Sequence, residues 1–258
     1  MPHTEIRHIH LSEVTSTNTY ARELDLGEEL LLVTADHQSA GRGQRGNTWE
    51  SAPGQNLLFT LALRPHGLAA SRQFLLCEYI SVVLCQVLSR YTSGIHIKWP
   101  NDIYYHDYKL CGILIEHDLE GQHLSRTLIG IGLNVNQMEF VSDAPNPISL
   151  RQILGHEVDR TELLDAICHA FVHPTESNAA TLDATALHAH YTTLLYRLGT
   201  PATYRDAQGT FTATLHHVEP DGRLILLDEQ GARHSYLFKE VSYVIAGHPP
   251  YFEIENYN

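Results

Sequence analysis

Twenty consecutive residues, Asp36 to Gln55, place a polar, glycine-rich stretch between two apolar runs of strand length. The runs are residues 29–35 (ELLLVTA) and 56–64 (NLLFTLALR). The first is continuously apolar, the pattern of a strand covered on both faces. A loop this long inside a folded unit, with no element of its own, is usually functional. Its centre reads Gly41-Arg42-Gly43-Gln44-Arg45-Gly46, the GxGxxG spacing of dinucleotide-binding folds. Those folds need a helix opening directly from the last glycine. Here Asn47-Thr48-Trp49-Glu50-Ser51-Ala52-Pro53-Gly54 is turn chemistry leading into a strand, so a nicotinamide-linked reading fails. A P-loop fails too, because no Gly-Lys-Ser/Thr follows. What remains is unhindered backbone N–H and two guanidinium groups three residues apart, suited to a phosphate or carboxylate. On composition alone, a solvated loop with incidental arginines is the alternative.

The rest of the pattern predicts an α+β fold. Residues 6–14 alternate as a strand and run into Thr15-Ser16-Thr17-Asn18, a cluster able to cap a helix over 19–26. The longest helical pattern is 71–91, with Phe74, Leu75, Tyr79, Ile80, Val83, Leu84, Val87 and Leu88 at three-to-four spacing. Runs at 95–99, 103–105, 109–116 and 126–135 read as an antiparallel meander. Residues 146–155 suggest a loop and a short helix. Asp159-Arg160-Thr161-Glu162 resembles a capping box before a helix over 163–172, and a third long helix covers 183–198. Beyond Gly199, short runs at 202–205, 209–218, 223–227 and 233–238 alternate with tight turns, as in a small SH3-like β-barrel. The expected organisation is a domain over 1–198, a second over 199–246 and a tail over 247–258.

Charge narrows the partners. Seventeen Lys+Arg against thirty Asp+Glu give a net charge of −13, poor for binding nucleic acid through its phosphates. An anionic ligand must therefore be held by a few placed cations. Apolar stretches such as 81–88 fall short of a membrane span, and no signal peptide opens the chain. Cys77, Cys85, Cys111 and Cys168 form no CxxC pair and read as buried thiols, consistent with a cytoplasmic location. His169 and His173 have helical spacing but no obvious third metal ligand. Lys98-Trp99-Pro100-Asn101-Asp102 must leave its sheet at the proline, and its Asn offers a donor–acceptor pair suited to a heteroaromatic edge, although taken alone the segment reads more simply as an ordinary Pro-Asn-Asp turn. Trp99 itself reads as strand packing. Lys109 opens KLCGILIE, where Gly112 removes a side chain from one strand face; the run from Gly130 to Asn136 repeats that device.

Taken in order, STN at 16–18, QSAGRGQRGNTW at 38–49, KWPND at 98–102, KLCGILIE at 109–116 and GIGLNVN at 130–136 resemble the biotin protein ligases, or biotin–[acetyl-CoA-carboxylase] ligases. The likeness is dense over residues 10–136 and extends to about 245 by layout. It implies a mixed, mostly antiparallel sheet with packed helices, like the class II aminoacyl-tRNA synthetases, plus the SH3-like module. The catalytic motifs begin within the first twenty residues, so the form expected is the monofunctional one, without an N-terminal DNA-binding domain.

The implied reaction uses ATP and Mg²⁺. Biotin's carboxylate attacks the α-phosphorus, and an acceptor lysine on a biotin carboxyl carrier domain then displaces AMP. Neither step needs an enzyme nucleophile, so positioning and charge neutralisation carry the catalysis. By motif match, Arg42 and Lys109 are the catalytic cations, Arg42 on the biotin carboxylate and Lys109 between carboxylate and α-phosphate. Arg45 assists at the phosphates. Ser16, Thr17, Asn18 and Gln38 grip the ureido ring, with Gly43 and Gln44 beside the vitamin, and Gly112 lets its chain pass. Trp49 packs on the nucleotide, Asn101 reads adenine and Asn134 reaches nucleotide or phosphates. Asp102 orients Lys109 or helps place Mg²⁺. Gln44 departs from the Arg that many bacterial members carry, which puts the retention of the adenylate onto Arg42, Arg45 and loop closure. The resemblance leaves monomer and homodimer open. A lipoate–protein ligase shares fold and chemistry but normally carries an Arg-rich segment with consecutive glycines, absent here; a non-enzymatic biotin sensor would not need both Arg42 and Lys109.

Overall fold

The computed structural model describes residues 5–43, 47–142, 146–173 and 183–245. Seven strands form one sheet in the order β1-β2-β3-β7-β6-β5-β4. β1 (Ile6–Val14) runs parallel to β2 (Leu30–Gln38). β3 (Leu57–Leu63), β4 (Ile95–Lys98), β5 (Asp102–Tyr105), β6 (Tyr108–Glu120) and β7 (His123–Leu133) complete it, every other neighbouring pair being antiparallel. The expected meander is therefore present. Its hairpin β6–β7 is longer than the apolar pattern, because Glu116 to Glu120, polar except for an exposed Leu119, continue the ladder as far as the turn at Gly121 (φ 60°).

Both faces of the central strands are covered. Leu30 and Leu32 join the larger core with Phe59 and Leu61, whereas Leu31 and Val33 face a second cluster with Ala21 and Leu128. This is why ELLLVTA shows no alternation. α1 (Thr17–Glu23) packs on β2, β3 and β7, and α2 (Phe74–Leu88) packs on β4 and β5. α1 begins two residues before the expected start, with Ser16 as its N-cap. That shift places Thr17 and Asn18 in the first turn, buried above the sheet. The segment Ala70–Leu88 is apolar enough to cross a membrane by length and composition, longer than the 81–88 stretch read from sequence. It begins as a 3-10 turn (Ala70–Arg72), and 67% of its most apolar window is buried, which makes it a core element.

α3 (Leu150–Leu154) carries a full capping box between Ser149 and Gln152 and stops at Gly155, where φ is 78°. α4 (Arg160–Val172) is capped by Asp159, whose carboxylate accepts from the Thr161 and Glu162 N–H groups. α5 (Ala184–Thr193) ends five residues before the predicted Leu198. The following chain instead satisfies the free edge of β4: Ile97 N–H donates to Leu194 at 2.8 Å, and Tyr196 N–H donates to Ile97 at 2.8 Å. Edge pairing outweighs helical propensity there.

A second, antiparallel sheet follows, with strands β8 (Pro201–Asp206), β9 (Gly209–Val218), β10 (Leu224–Asp228), β11 (Arg233–Tyr236) and β12 (Ser242–Tyr243) in the order β11-β10-β9-β8-β12. It is not the closed barrel expected. The outer strands are only four and two residues long, and a single bridge, Phe238 to Val241, connects their flanks among the described residues. Trp99 seats this sheet on the first. Its indole N–H donates to the Gly222 carbonyl at 2.9 Å, and its ring meets Phe238 edge-on at 5.8 Å. Trp99→Phe leaves that carbonyl without its donor. We expect a loss of about 1–3 kcal/mol, read as a fall of several degrees in the thermal midpoint. The four cysteines are free and buried, and burial pushes every thiol up, Cys168 to about 12. None is a ready nucleophile.

Candidate active site

β6 and β7 pair Gly112 with Gly132 and Leu114 with Gly130. Three side chains are thus missing from one patch of the hairpin, and a cavity of about 950 Å³ lies over it. The start of α1, the end of β2, the loop before β3, the Asn101-Asp102 turn and the second sheet wall it. Eight of the nine proposed biotin residues, Ser16, Thr17, Asn18, Gln38, Arg42, Gly43, Lys109 and Gly112, line this one space, together with Trp49, Asn101 and Asp102. Gln44 and Arg45 lie outside the described residues.

One end is a network of amides and hydroxyls. The Thr17 backbone N–H donates to Gln38 Oε1 at 2.8 Å, and the Thr17 hydroxyl lies 3.2 Å from the same oxygen. A backbone N–H can only donate, so it fixes the Gln38 amide with its oxygen inward and keeps Nε2 as an available donor. Asn18 is fully engaged: Nδ2 donates to Glu116 at 2.8 Å and to the Leu114 carbonyl at 3.3 Å, while Oδ1 accepts from Thr60 at 2.6 Å. Asn18 therefore buttresses the end of the cavity in this state. Gly130 makes room for it, since a Cβ there would collide with the Asn18 amide. Ser16 caps α1 without spending its hydroxyl on the helix.

Lys109 marks the other end. Its ammonium donates to Asp102 at 2.7 Å and lies 5.8 Å from the Trp49 ring centre. From Lys109 to Glu116 is seven residues along β6, roughly 23 Å of strand at ~3.3 Å per residue. Trp49 covers the glycines between: a Cβ on Gly112 would meet its Cζ3 at 2.7 Å, and one on Gly132 would collide with the indole. The indole N–H is buried and has no acceptor among the described residues. Arg42 is held at the amide end, Nη2 donating to Glu116 at 2.8 Å. Asn101 is buried, with Nδ2 3.4 Å from the Ile113 carbonyl. Asn134 does not line the cavity; it donates to the Ile148 carbonyl at 3.0 Å and lies 3.5 Å from that of Lys109, bracing the start of β6.

Sequence reading passed over Glu116, Thr60 and Lys98 and did not bring the second sheet to the site. Glu116 ends an apolar run and looks like an exposed strand terminus, yet it gathers Arg42, Asn18 and, at 3.7 Å, Arg22. Glu50 ties the long loop to the segment after β7, accepting from the Val141 and Ser142 N–H groups at 2.8 Å each. Burial opposes its ionisation, but hydrogen bonds led by those of Ser142 and Val141 prevail and hold its carboxyl below the ordinary value. A depressed folded-state pKa stabilises above the unfolded value, about 4.3, and that contribution is lost as pH falls through the folded one. Glu50→Gln should remove this acid-limb dependence, seen in urea unfolding midpoints compared at neutral pH and below pH ~4.

No group of three metal-ligating side chains occurs among the described residues. His169 and His173 approach each other, with ring centres 4.8 Å apart. At the cation end Asp102 is the carboxylate within reach of a ligand, and one of its oxygens already serves Lys109. That donor set suits Mg²⁺ carried mainly on nucleotide phosphates.

A model described as the biotin/lipoate A/B protein ligase family matches residues 11–134. The bifunctional ligase/repressor BirA of Bacillus subtilis is 32% identical over 90% of this chain and 74% of its own length. The biotin–[acetyl-CoA-carboxylase] ligase of Paracoccus denitrificans is 29% identical over 86% of this chain and 94% of its own. Among solved structures, a biotin protein ligase from Aquifex aeolicus in complex with biotin and ATP superposes with a TM-score of 0.75 at 25% identity, covering 93% of this chain and 99% of that one.

Proposed function

The chain belongs to the biotin/lipoate A/B protein ligase family, and we infer that it is an ATP-dependent biotin–protein ligase. The observation that carries this reading is one glycine-floored cavity joining an amide end to a lysine–carboxylate end. A ureido ring needs donors to its oxygen and acceptors for its N–H groups; Gln38 Nε2, the Ser16 hydroxyl and the Thr17 hydroxyl supply that chemistry. The glycines leave the width of a thiophene and its valeryl chain once the Trp49 ring moves aside. The carboxylate then lies near Lys109, where the ammonium offsets repulsion between two anions.

Asn101 takes the adenine edge, and Trp49 packs against the nucleotide after leaving the glycines. Arg42 exchanges Glu116 for the ligand's carboxylate and later the acyl-phosphate, with Arg45 at the phosphates. Asp102 is the side chain able to reach a Mg²⁺ ion, which would neutralise phosphate charge when carried on ATP. The acceptor is a lysine of a biotin carboxyl carrier domain, whose amine attacks the acyl carbon and expels AMP.

A lipoate ligase is the second reading that fold permits. A dithiolane ring has no N–H or carbonyl, so it would leave the Thr17–Gln38 cluster unanswered. Incubation with ATP, Mg²⁺, a carrier domain and either biotin or lipoate, followed by intact mass, separates the two. We expect addition of a single biotinyl group and no lipoyl group; lipoylation, or no modification, contradicts the assignment.

A further inference from the structure

We propose that Lys98 holds the pyrophosphate portion of ATP during adenylation, an assignment that rests on the ligase reading. Lys98 ends β4 directly opposite Asp102 on β5, and it lines the cavity on the side of the second sheet. Its ammonium stands 5.0 Å from the Tyr104 ring centre and 5.4 Å from that of Tyr243. Those rings are its contacts: among the described residues the ammonium makes no hydrogen bond and no salt bridge. The carboxylate between the two lysines is committed to Lys109 at 2.7 Å. Burial lowers the Lys98 pKa, with Asp102 opposing and Lys109 and Arg197 adding to the fall. An ammonium placed in this way gains strongly from an arriving anion.

Stereochemistry says which anion. In the first step a carboxylate oxygen of biotin bonds to the α-phosphorus. The bond from that phosphorus to the α–β bridging oxygen breaks, its electron pair leaves with pyrophosphate, and no proton moves. Attacking and leaving oxygens lie roughly in line on opposite sides of the phosphorus. With the ureido ring at Gln38 and the carboxylate delivered over Gly112 to Lys109, the leaving group departs beyond Lys109, away from the glycine floor. The wall there is Lys98 with Lys239, Ser242 and Tyr243. Arg42, on leaving Glu116, is assigned to the carboxylate and acyl-phosphate, and Lys109 is engaged at the reacting centre. Lys239 lines the same wall, its ammonium 5.6 Å from the Phe238 ring centre. Lys98 is the cation directly opposite Asp102, beside the reacting centre, and so is placed to meet the departing charge.

Lys98→Met keeps an unbranched stem between the two rings and removes the charge. The test is synthesis of ATP from biotinyl-AMP and pyrophosphate, followed against pyrophosphate concentration. The KM for pyrophosphate should rise by about tenfold or more, as expected for loss of a charge-assisted contact. Transfer of biotin from preformed biotinyl-AMP to the carrier lysine involves no pyrophosphate and should hold at the parent rate, which also reports folding. Lys98→Arg should restore most of the pyrophosphate affinity. Should the methionine variant not fold, Lys98→Gln gives the same comparison. An unchanged pyrophosphate KM, or a parallel fall in the transfer half-reaction of a folded variant, overturns the assignment to Lys98 alone. A parent protein inactive in both assays overturns the ligase reading beneath it.

Discussion

Lys109→Ala should slow biotin-dependent ATP–pyrophosphate exchange by roughly 10²–10³-fold, the range for losing one charge-stabilising donor in a closed site. The ammonium is the group at the end of the glycine floor where biotin's carboxylate and the α-phosphate are to meet. Its one described carboxylate partner, Asp102 at 2.7 Å, keeps it in place without neutralising a ligand. A structural alternative makes a different forecast. If Lys109 merely balanced Asp102, then Asp102→Asn would relieve the unpaired carboxylate and restore activity in the double variant. Because the lost interaction is with the substrate pair, the double variant should stay as slow as Lys109→Ala. Exchange near the parent rate in the single variant removes Lys109 from the mechanism.

Arg42→Ala should impair adenylate formation to a similar degree, roughly 10²–10³-fold. Arg42 is partly exposed and rests on Glu116 through one contact at 2.8 Å, an ion pair of the kind that contributes little to stability. Its consequence for catalysis is different, since an anion with two oxygens offers the guanidinium a paired contact that a single shared oxygen does not. Glu116 supplies the control. If Arg42 acted only by holding the loop onto β6, Glu116→Ala would reproduce the loss seen in Arg42→Ala. If Arg42 reaches the carboxylate and acyl-phosphate, Glu116→Ala should be milder by about tenfold or more, and its effect should fall mainly on the KM for biotin through Asn18.

Much of this fold was legible because its signals are local. The meander from residue 95 to 135 follows from strand runs between turn residues, and α4 from its cap at Asp159, while α3 falls in the loop and short helix expected over 146–155. What misled was tertiary. α5 stops at Thr193 because the edge of β4 recruits Leu194 and Tyr196, and no window of sequence contains both partners. The second sheet stays open because β12 has two residues, a length that propensity does not set.

The site divides in the same way. Glycines at 112, 130 and 132 and the polar residues at 16–18 were visible as types in unusual places, and the structure gathers them around one cavity. Glu116 and Lys98 were not, since one resembles a solvated strand end and the other a strand residue beside a tryptophan. Their meaning lies in contacts across 74 positions for Glu116 with Arg42, and across the joint between the two sheets for Lys98 with Tyr243. Asn134 shows the converse: a polar residue in a glycine-rich motif whose amide braces backbone carbonyls.

A crystal structure of this protein with biotin and ATP bound is the most direct test of how two anions are brought together here. The ureido ring should contact Gln38, the thiophene and its chain should cross Gly112 with Trp49 displaced onto the nucleotide, and the carboxylate should lie within hydrogen-bonding distance of Lys109. A vitamin or triphosphate bound away from Lys109 and Arg42, with both cations still on Asp102 and Glu116, would contradict the mechanism.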